Sequence, residues 1–138
     1  MDRSLLDTDM LSEILKGIDR NVVAKAVAYH ATFGHYTICV MTITEIVKGY
    51  HKIQREDRIR RFLAHVSNFE VLILDGHSAE LAGRIIADLE RTGQPIGVAD
   101  SMIAAIALQH DLTVVTGNLS HYQRIQSLGY GLKLDNWR

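Results

Sequence analysis

The sequence is poor in the residues that form disulfides and linkers. Of its 138 residues, one is cysteine and one is proline. A single cysteine excludes a disulfide framework, and Cys39 lies in an apolar run where we expect a buried thiol that acts as a small hydrophobic side chain. The length suits a single core. We therefore expect one domain, residues 1–138, without long linkers and in a reducing compartment.

Long apolar runs and an excess of charge of one sign are also missing. The first residues include Asp2 and Asp7 among few apolar side chains, which fits neither a secretory signal nor a membrane span. We therefore expect a cytoplasmic protein that does not associate with membranes. The formal net charge is -1, so the molecule as a whole has no strong field to attract nucleic acid. Any polyanionic partner must be held locally.

Several catalytic motifs are absent as well. The chain has no Gly-x-Ser-x-Gly elbow, no phosphate-binding glycine loop and no Cys-x-x-Cys pair. Serine hydrolase, P-loop and thiol-redox functions therefore lack the residues that would carry them.

What the sequence does contain is an alternation of short apolar strands with amphipathic helices. The pattern predicts strands at 3–6, 37–41, 71–74 and 113–116 and an edge strand at 132–134. Helices are predicted at 10–16, 22–32, 43–53, 59–66, 77–92, 98–109 and 120–128. Such alternation indicates an α/β fold with a mainly parallel central sheet of four to five strands covered on both faces.

Three helix starts carry recognisable capping signals. Asp9 is the predicted N-cap of the first helix, and Asn21 is the predicted N-cap of the second. Thr42 and Glu45 match the Thr-x-x-Glu capping box, so we predict that they open the third helix.

Polar side chains follow the carboxyl ends of the predicted strands. They are Asp7 and Asp9 after the first strand, Glu45 after the second, Asp100 at the start of the buried helix and Asn118 after the fourth. Ligand clefts of open α/β sheets form at this edge. If three carboxylates met there, each pair at about 4 Å would repel by roughly 4 kcal/mol at an effective dielectric near 20. A cation or a raised pKa would be needed, and an all-oxygen ligand set favours Mg²⁺ or Mn²⁺ over zinc.

Each of these side chains also has a purely structural explanation. Asp9 and Glu45 are explained by helix capping alone, and Asn118 after Gly117 is a good turn residue. Asp100 suits the first turn of a helix, but its burial among apolar neighbours would be costly without a partner. The seven histidines show no two-His metal spacing. His121 follows Asn118 closely enough to reach a cleft, although a surface position is the favoured explanation.

Four segments, taken together, resemble PIN-domain ribonucleases of the VapC toxin type. They occur in the family's order and span the chain, and the ending Asp135-Asn136-Trp137 is also similar to many such toxins. The segments are Leu5-Leu6-Asp7-Thr8-Asp9-Met10-Leu11, Thr44-Glu45-Ile46, Ile96-Gly97-Val98-Ala99-Asp100-Ser101-Met102-Ile103-Ala104-Ala105 and Val115-Thr116-Gly117-Asn118-Leu119-Ser120-His121-Tyr122.

This resemblance implies a PIN-like three-layer αβα sandwich and a metal-dependent endoribonuclease. Asp7, Glu45 and Asp100 would hold Mg²⁺ or Mn²⁺, and Asn118 would complete the catalytic set at a position where the family often has a fourth acid. Thr8, Asp9 and Thr116 would hold the ligands or position water, with Asp9 restoring the charge that Asn118 lacks.

The resemblance also implies a mechanism and partners. A metal-activated water would attack the phosphorus in line and leave 5′-phosphate and 3′-hydroxyl ends. The protein would be a homodimeric toxin that inhibits translation by cleaving RNA, and a hetero-oligomer with an antitoxin, whose arginine would suit the acidic cleft. The candidate RNA contacts are Lys48, Lys52, Arg55 and Arg84.

Two alternatives stay open at this point. Asp7-Thr8-Asp9 after a first strand also resembles the acid pair of haloacid-dehalogenase-type phosphatases, although Leu11 stands where that family has Thr or Val. That family also has paired acids late in the chain, where this sequence has only Asp100. The second alternative is a catalytically weak PIN domain that binds RNA or a partner, which Asn118 keeps open.

Overall fold

The computed structural model describes all residues, 1–138, and contains five short strands and seven helices. In chain order they are β1 (Ser4–Leu6), α1 (Thr8–Lys16), α2 (Arg20–Phe33), β2 (Thr37–Cys39), α3 (Val40–Lys52), α4 (Glu56–Val66), β3 (Glu70–Leu72), α5 (Gly76–Arg91), α6 (Val98–Gln109), β4 (Thr113–Val115), α7 (Leu119–Ser127) and β5 (Lys133–Asp135).

All strand pairings are parallel, which confirms the predicted sheet. β1 pairs with β4 and β4 with β5, while β2 pairs with β3. β1 also lies beside β2, although no ladder of hydrogen bonds joins them. The chain therefore leaves β1 toward β2 on one side and returns to β4 on the other, and the cleft of such a sheet forms at this reversal.

Helices cover both faces of the sheet because alternate strand residues point to opposite sides. Leu5 and Val114 pack into a core with α5, α6 and α7. Leu6 and Val115 pack into a second core with α1, α2, α3 and α4. This is the expected three-layer αβα arrangement, and β1 and β4 are the wall that the two cores share.

The predicted helix starts were wrong at three places. Asp7, not Asp9, is the N-cap of α1, because the helix begins directly after β1 and the Asp7 carboxylate accepts the Met10 N–H. Asp19, not Asn21, caps α2 with its carboxylate. Likewise α3 begins at Val40, and Cys39 makes no side-chain cap.

This early start of α3 removes the predicted capping box. Thr42 and Glu45 lie inside the helix, where their side chains contact Thr8 of α1 instead of their own backbone. The capping explanation of Glu45 therefore fails.

The other elements agree with their predictions to within a few residues. α6 occupies the predicted residues and is mostly buried. Gly17 ends α1 in the left-handed conformation expected of a helix-ending glycine. The strand β3 is half-buried and not fully buried as predicted, because it pairs only with β2 and forms an edge of the sheet. No helix combines the length and the apolar character that a membrane crossing requires.

Candidate active site

Asp7 lies at the carboxyl end of β1 and is 4% exposed. One carboxylate oxygen accepts the Met10 N–H at 2.8 Å, as the N-cap of α1. The other accepts a short hydrogen bond from the hydroxyl of Thr116, which follows β4 and is fully buried. Asp7 is therefore fixed by two neutral donors, one from its own helix and one from the neighbouring strand.

The electrostatics of Asp7 disfavour its negative charge. Burial raises the pKa of Asp7 to about 6, and the nearby charges of Asp9 and Asp100 raise this pKa further. The hydrogen bonds from Thr116 and Met10 oppose this rise. No lysine, arginine or histidine lies within salt-bridge distance of the Asp7 carboxylate, so its charge is met only by hydrogen bonds.

Asp100 in the first turn of α6 is the second carboxylate of the site. Its Oδ1 accepts a hydrogen bond from the Tyr122 hydroxyl at 3.2 Å, and its Oδ2 lies 3.3 Å from Nδ1 of His121. The Asp100 side chain is 26% exposed. Burial first, and then the charges of Asp7 and Asp100, raise the pKa of Tyr122 well above its usual value. Tyr122 is therefore a permanent neutral donor to Asp100.

Asn118 joins the two halves of the site. Its backbone N–H donates to the Thr116 hydroxyl at 2.9 Å, and its side-chain nitrogen lies 2.9 Å from Nδ1 of His121. Thr116 thus donates to Asp7 while it accepts from Asn118. The loop after β4 positions a carboxylate on one side and an imidazole on the other.

Glu45 contacts the site through α1. Its carboxylate accepts a 2.6 Å hydrogen bond from the Thr8 hydroxyl, which also lies 3.1 Å from the hydroxyl of Thr42. Thr8 directly follows Asp7, so this bond ties Glu45 to the chain segment that carries Asp7. Glu45 therefore lines the groove next to Thr8, and its role as a metal ligand stays a prediction.

Asp9 has a different environment from the one predicted. Its carboxylate forms an ion pair with Arg138 at 3.2 Å, and Arg138 also contacts Glu13 at 3.1 Å. Gly117 lies beneath this pair: an added Cβ there would be 2.6 Å from the Asp9 carboxylate and closer still to the Arg138 guanidinium. The Asp9 charge is thus already compensated within the chain. This weakens the hypothesis that Asp9 replaces the charge missing at Asn118.

The donor set suits a hard cation that keeps much of its water. No three carboxylate, imidazole or thiol groups stand close enough together to enclose a metal ion. Mg²⁺ in proteins is commonly bound by one or two carboxylates and retains several waters. Asp7, a buried carboxylate with a raised pKa beside Asp100, is the kind of group that such an ion would stabilise. The residues present therefore fit a partly hydrated Mg²⁺ or Mn²⁺.

A groove of about 580 Å³ runs from Thr8 and Glu45 between α1, α3 and α4. Lys16, Arg58 and Arg61 contribute positive charge to its walls.

The four predicted RNA contacts do not line this groove. Arg55 pairs with Asp57, and Arg84 pairs with Glu80 on α5. The remaining two, Lys48 and Lys52, are exposed on α3. All four therefore stay predictions.

Sequence reasoning missed two side chains that the structure brings to the site, Tyr122 and Arg138. Tyr122 could have been found from the sequence, because it is next to His121, which was already a candidate. Both residues lie in the first turn of α7 and contact Asp100 at the start of α6. The Arg138 contact with Asp9 joins residues 129 positions apart, and no local pattern could reveal it.

Comparison with known proteins gives consistent matches. The family model described as PIN domain matches residues 4–125. A tRNA(fMet)-specific endonuclease VapC from Shigella flexneri is 30% identical over 99% of both chains. A protein of the same name from Salmonella typhimurium is 35% identical over 72% of this chain and 75% of its own. The structure of DNA-bound VapBC from Salmonella typhimurium aligns with a TM-score of 0.83 and 29% identity over the full length of both chains.

Proposed function

The chain belongs to the PIN-domain family, and from this premise we propose that it is a metal-dependent endoribonuclease of the VapC type. The observation that carries the proposal is the buried Asp7 carboxylate, which lies near Asp100 at the edge shared by β1 and β4 without a fixed counter-cation. Asp7 and Asp100 are the proposed direct metal ligands, and Glu45 is the proposed third, which would reach the ion through a bound water because no three such groups enclose a single point. Mg²⁺ or Mn²⁺ bound there would polarise a phosphoryl oxygen and lower the pKa of a coordinated water.

Hydrogen bonds from neighbouring residues hold the proposed ligand carboxylates in place. Thr116 and the Met10 N–H fix both oxygens of Asp7, and Tyr122 fixes one oxygen of Asp100. Thr8 holds Glu45 at the same edge. Water as the nucleophile leaves the ribose 2′-hydroxyl unused, so the expected products carry 5′-phosphate and 3′-hydroxyl ends.

We propose RNA as the substrate and an antitoxin as the partner. The basic groove that ends at Glu45 supports a polyanionic substrate, and the relatives in Shigella flexneri and Salmonella typhimurium are named endonucleases of tRNA(fMet). The Salmonella structural neighbour is a DNA-bound VapBC complex, which supports assembly with an antitoxin. Inhibition of translation and a homodimer are further parts of the proposal.

A haloacid-dehalogenase-type phosphatase is disfavoured. The match is to a PIN domain, and Asp9, which would be the acid of that mechanism, is held by Arg138.

Cleavage of RNA by the purified protein tests the proposal. We expect cleavage with Mg²⁺ or Mn²⁺, its loss with EDTA, and a loss of roughly 10³-fold or more, about 4 kcal/mol of activation free energy, in both Asp7→Asn and Asp100→Asn. Asp9→Asn is the matched control, because it removes a carboxylate two residues from Asp7 that already has a counter-charge. Full activity in the first two variants would exclude the metal site, and RNA binding without cleavage by the native protein would favour the catalytically weak alternative.

A further inference from the structure

The side of α4 that lines the groove between α1, α3 and α4 is basic. Arg58, Arg61 and His65 recur every three or four residues, so they lie along one face of this helix. Lys16 at the end of α1 lines the same groove, and Glu45 is the only carboxylate in its lining. The groove is therefore locally positive, although the whole chain has a formal net charge of -1.

The three permanent cations of the groove are not neutralised within the chain. Six other lysine and arginine side chains form ion pairs with carboxylates. Lys16, Arg58 and Arg61 form no such pair, so no internal contact has to be broken before they meet an anion. Unpaired cations gathered along one groove suit a polyanion such as a nucleic-acid backbone.

The groove also offers surfaces on which a base can stack. The guanidinium carbon of Arg58 lies over the Tyr50 ring, 5.9 Å from its centre, which is within the range of a cation–π contact. Ile53 lines the groove nearby and is 58% exposed. Aromatic rings and guanidinium planes are the groups on which proteins stack the unpaired bases of single-stranded RNA. A purely charged groove would attract phosphates but give the bases no such contact.

We propose that this groove binds a single-stranded segment of the RNA substrate, with a base stacked on Tyr50 and Arg58 and the phosphates beside the unpaired cations. The inference rests on the proposed function, because it assigns a place to the substrate of that reaction. Its volume of about 580 Å³ is in the range of small-molecule pockets, which fits a short stretch of single strand. The bases of a duplex are already stacked on one another and are not free to enter.

The position of the groove connects it with the candidate active site. Thr8 and Glu45 line one end of the groove, and Thr8 directly follows Asp7 in the chain. A strand that lies in the groove therefore leads its backbone toward the proposed metal ligands.

Gly49 provides a way to close the groove without disturbing the fold. It lines the groove from the middle of α3, and a Cβ added there would meet no atom within 4 Å. A longer side chain at this position has free space in front of it. Because glycine weakens the interior of a helix, Gly49→Gln should fold at least as well as the native chain while it obstructs the groove.

Fluorescence anisotropy of a labelled single-stranded RNA tests the proposal on the full chain, in EDTA so that no cleavage occurs. We expect Arg58→Ala and Gly49→Gln to weaken binding roughly tenfold. The matched control is Arg60→Ala, which removes an exposed and unpaired cation of the same helix outside the groove. It should change binding by less than about threefold. Circular dichroism verifies that each variant is folded.

Two further variants separate stacking from charge. Arg58→Lys keeps the charge but removes the planar group, so it should weaken binding roughly fivefold without changing the dependence on salt. Arg61→Ala removes one phosphate contact, so the slope of log affinity against log salt concentration should become shallower by about 0.7. A duplex of the same sequence should bind at least roughly tenfold more weakly than the single strand.

The outcomes separate this proposal from the proposed function. Equal RNA binding by the native protein, Arg58→Ala and Gly49→Gln would overturn the groove assignment and leave the groove to a protein segment, while continued cleavage would leave the proposed function intact. Equal binding of duplex and single strand would also overturn it. Cleavage with Mg²⁺ but no binding in EDTA would show that the ion, and not the groove, holds the RNA. If the native protein neither binds nor cleaves RNA, both proposals fail.

Discussion

Two groups of carboxylates include Asp7 and Asp9, only two positions apart, and the fold gives the two groups different partners. The inner carboxylates, Asp7 and Asp100, receive hydrogen bonds from Thr116, the Met10 N–H and Tyr122, and no lysine or arginine pairs with them. The outer carboxylates, Asp9 and Glu13, share the guanidinium of Arg138.

This difference agrees with the proposed position of the cation site. The chain compensates the outer charges with its own arginine, so those carboxylates need nothing further. It gives the inner carboxylates hydrogen bonds from neutral donors and, for Asp100, a contact with the His121 imidazole, while burial raises the pKa of Asp7 to about 6. A proton or a metal ion must supply the rest of the compensation.

The largest expected difference in stability between the two groups is the response to pH. The pKa of Asp7 rises from 3.8 to about 6 on folding, so ionised Asp7 destabilises the native state, by at most about 3 kcal/mol. The destabilisation is absent below pH 4, develops between pH 4 and pH 6, and is complete above pH 6. In EDTA at pH 8, Asp7→Asn should therefore raise the free energy of unfolding by about 1–3 kcal/mol, and by much less at pH 4.

Urea denaturation at the two pH values measures this effect. Asp9→Asn is the control with a much smaller gain, because the Asp9 charge adds little to the effect of burial on Asp7. Excess Mn²⁺ should stabilise the native protein and leave Asp7→Asn unchanged, because a ligand of the native state alone raises stability. Equal stability of Asp7→Asn and the native protein at pH 8 would contradict the conclusion that ionised Asp7 destabilises the native state.

The second prediction removes one neutral donor from the inner group. Thr116→Val keeps the shape of a fully buried side chain and deletes the hydroxyl that donates to Asp7 and accepts from Asn118. The free energy of unfolding should fall by about 2 kcal/mol at pH 8. Because the lost bond favours ionised Asp7, the loss should be smaller at pH 4. Thr116→Ser keeps the hydroxyl, so its loss of unfolding free energy should depend less on pH.

The third prediction concerns the donor to Asp100. Tyr122→Phe leaves the buried ring in place and removes the hydroxyl. Since Asp100 is partly exposed and water can replace the donor, the free energy of unfolding should fall by only about 1 kcal/mol. A loss as large as that of Thr116→Val would show that Asp100 is as poorly hydrated as Asp7.

The smallest effect is expected for the outer group. Arg138→Ala breaks exposed ion pairs, so the free energy of unfolding should fall by less than about 1 kcal/mol. The loss should largely vanish in 1 M NaCl, since salt screens exposed charges. A loss above 2 kcal/mol that does not depend on salt would show that the outer ion pairs contribute to stability like buried ones, and would contradict the contrast between the two groups.

The sequence predicted those features that depend on the periodicity of apolar residues and on the geometry of parallel sheets. The parallel sheet, the buried helix α6 and the position of Asp7 at the carboxyl end of β1 follow from apolar runs and from the polar residues that end them. These features depend on neighbours along the chain or on the general geometry of parallel sheets.

The remaining features depend on tertiary contacts. Asp7 and Asp9 are equally good N-caps as residue types, and pairing of β1 with β4 decides where the strand stops and the helix begins. The Thr-x-x-Glu pattern failed because β2 ends at Cys39 and α3 starts immediately. The ion pair between Asp9 and Arg138 is visible only when the chain is folded.

The pairing of β1 with β4 also determines when the site can form during synthesis of the chain. Asp7 is synthesised early, but the Thr116 hydroxyl that fixes it is added 109 residues later, and β1 has no other ladder partner. Until β4 and its following loop emerge from the ribosome, a growing chain holds Asp7 on an unpaired strand. The candidate site therefore cannot assemble on a ribosome-bound fragment that lacks β4 and the loop after it.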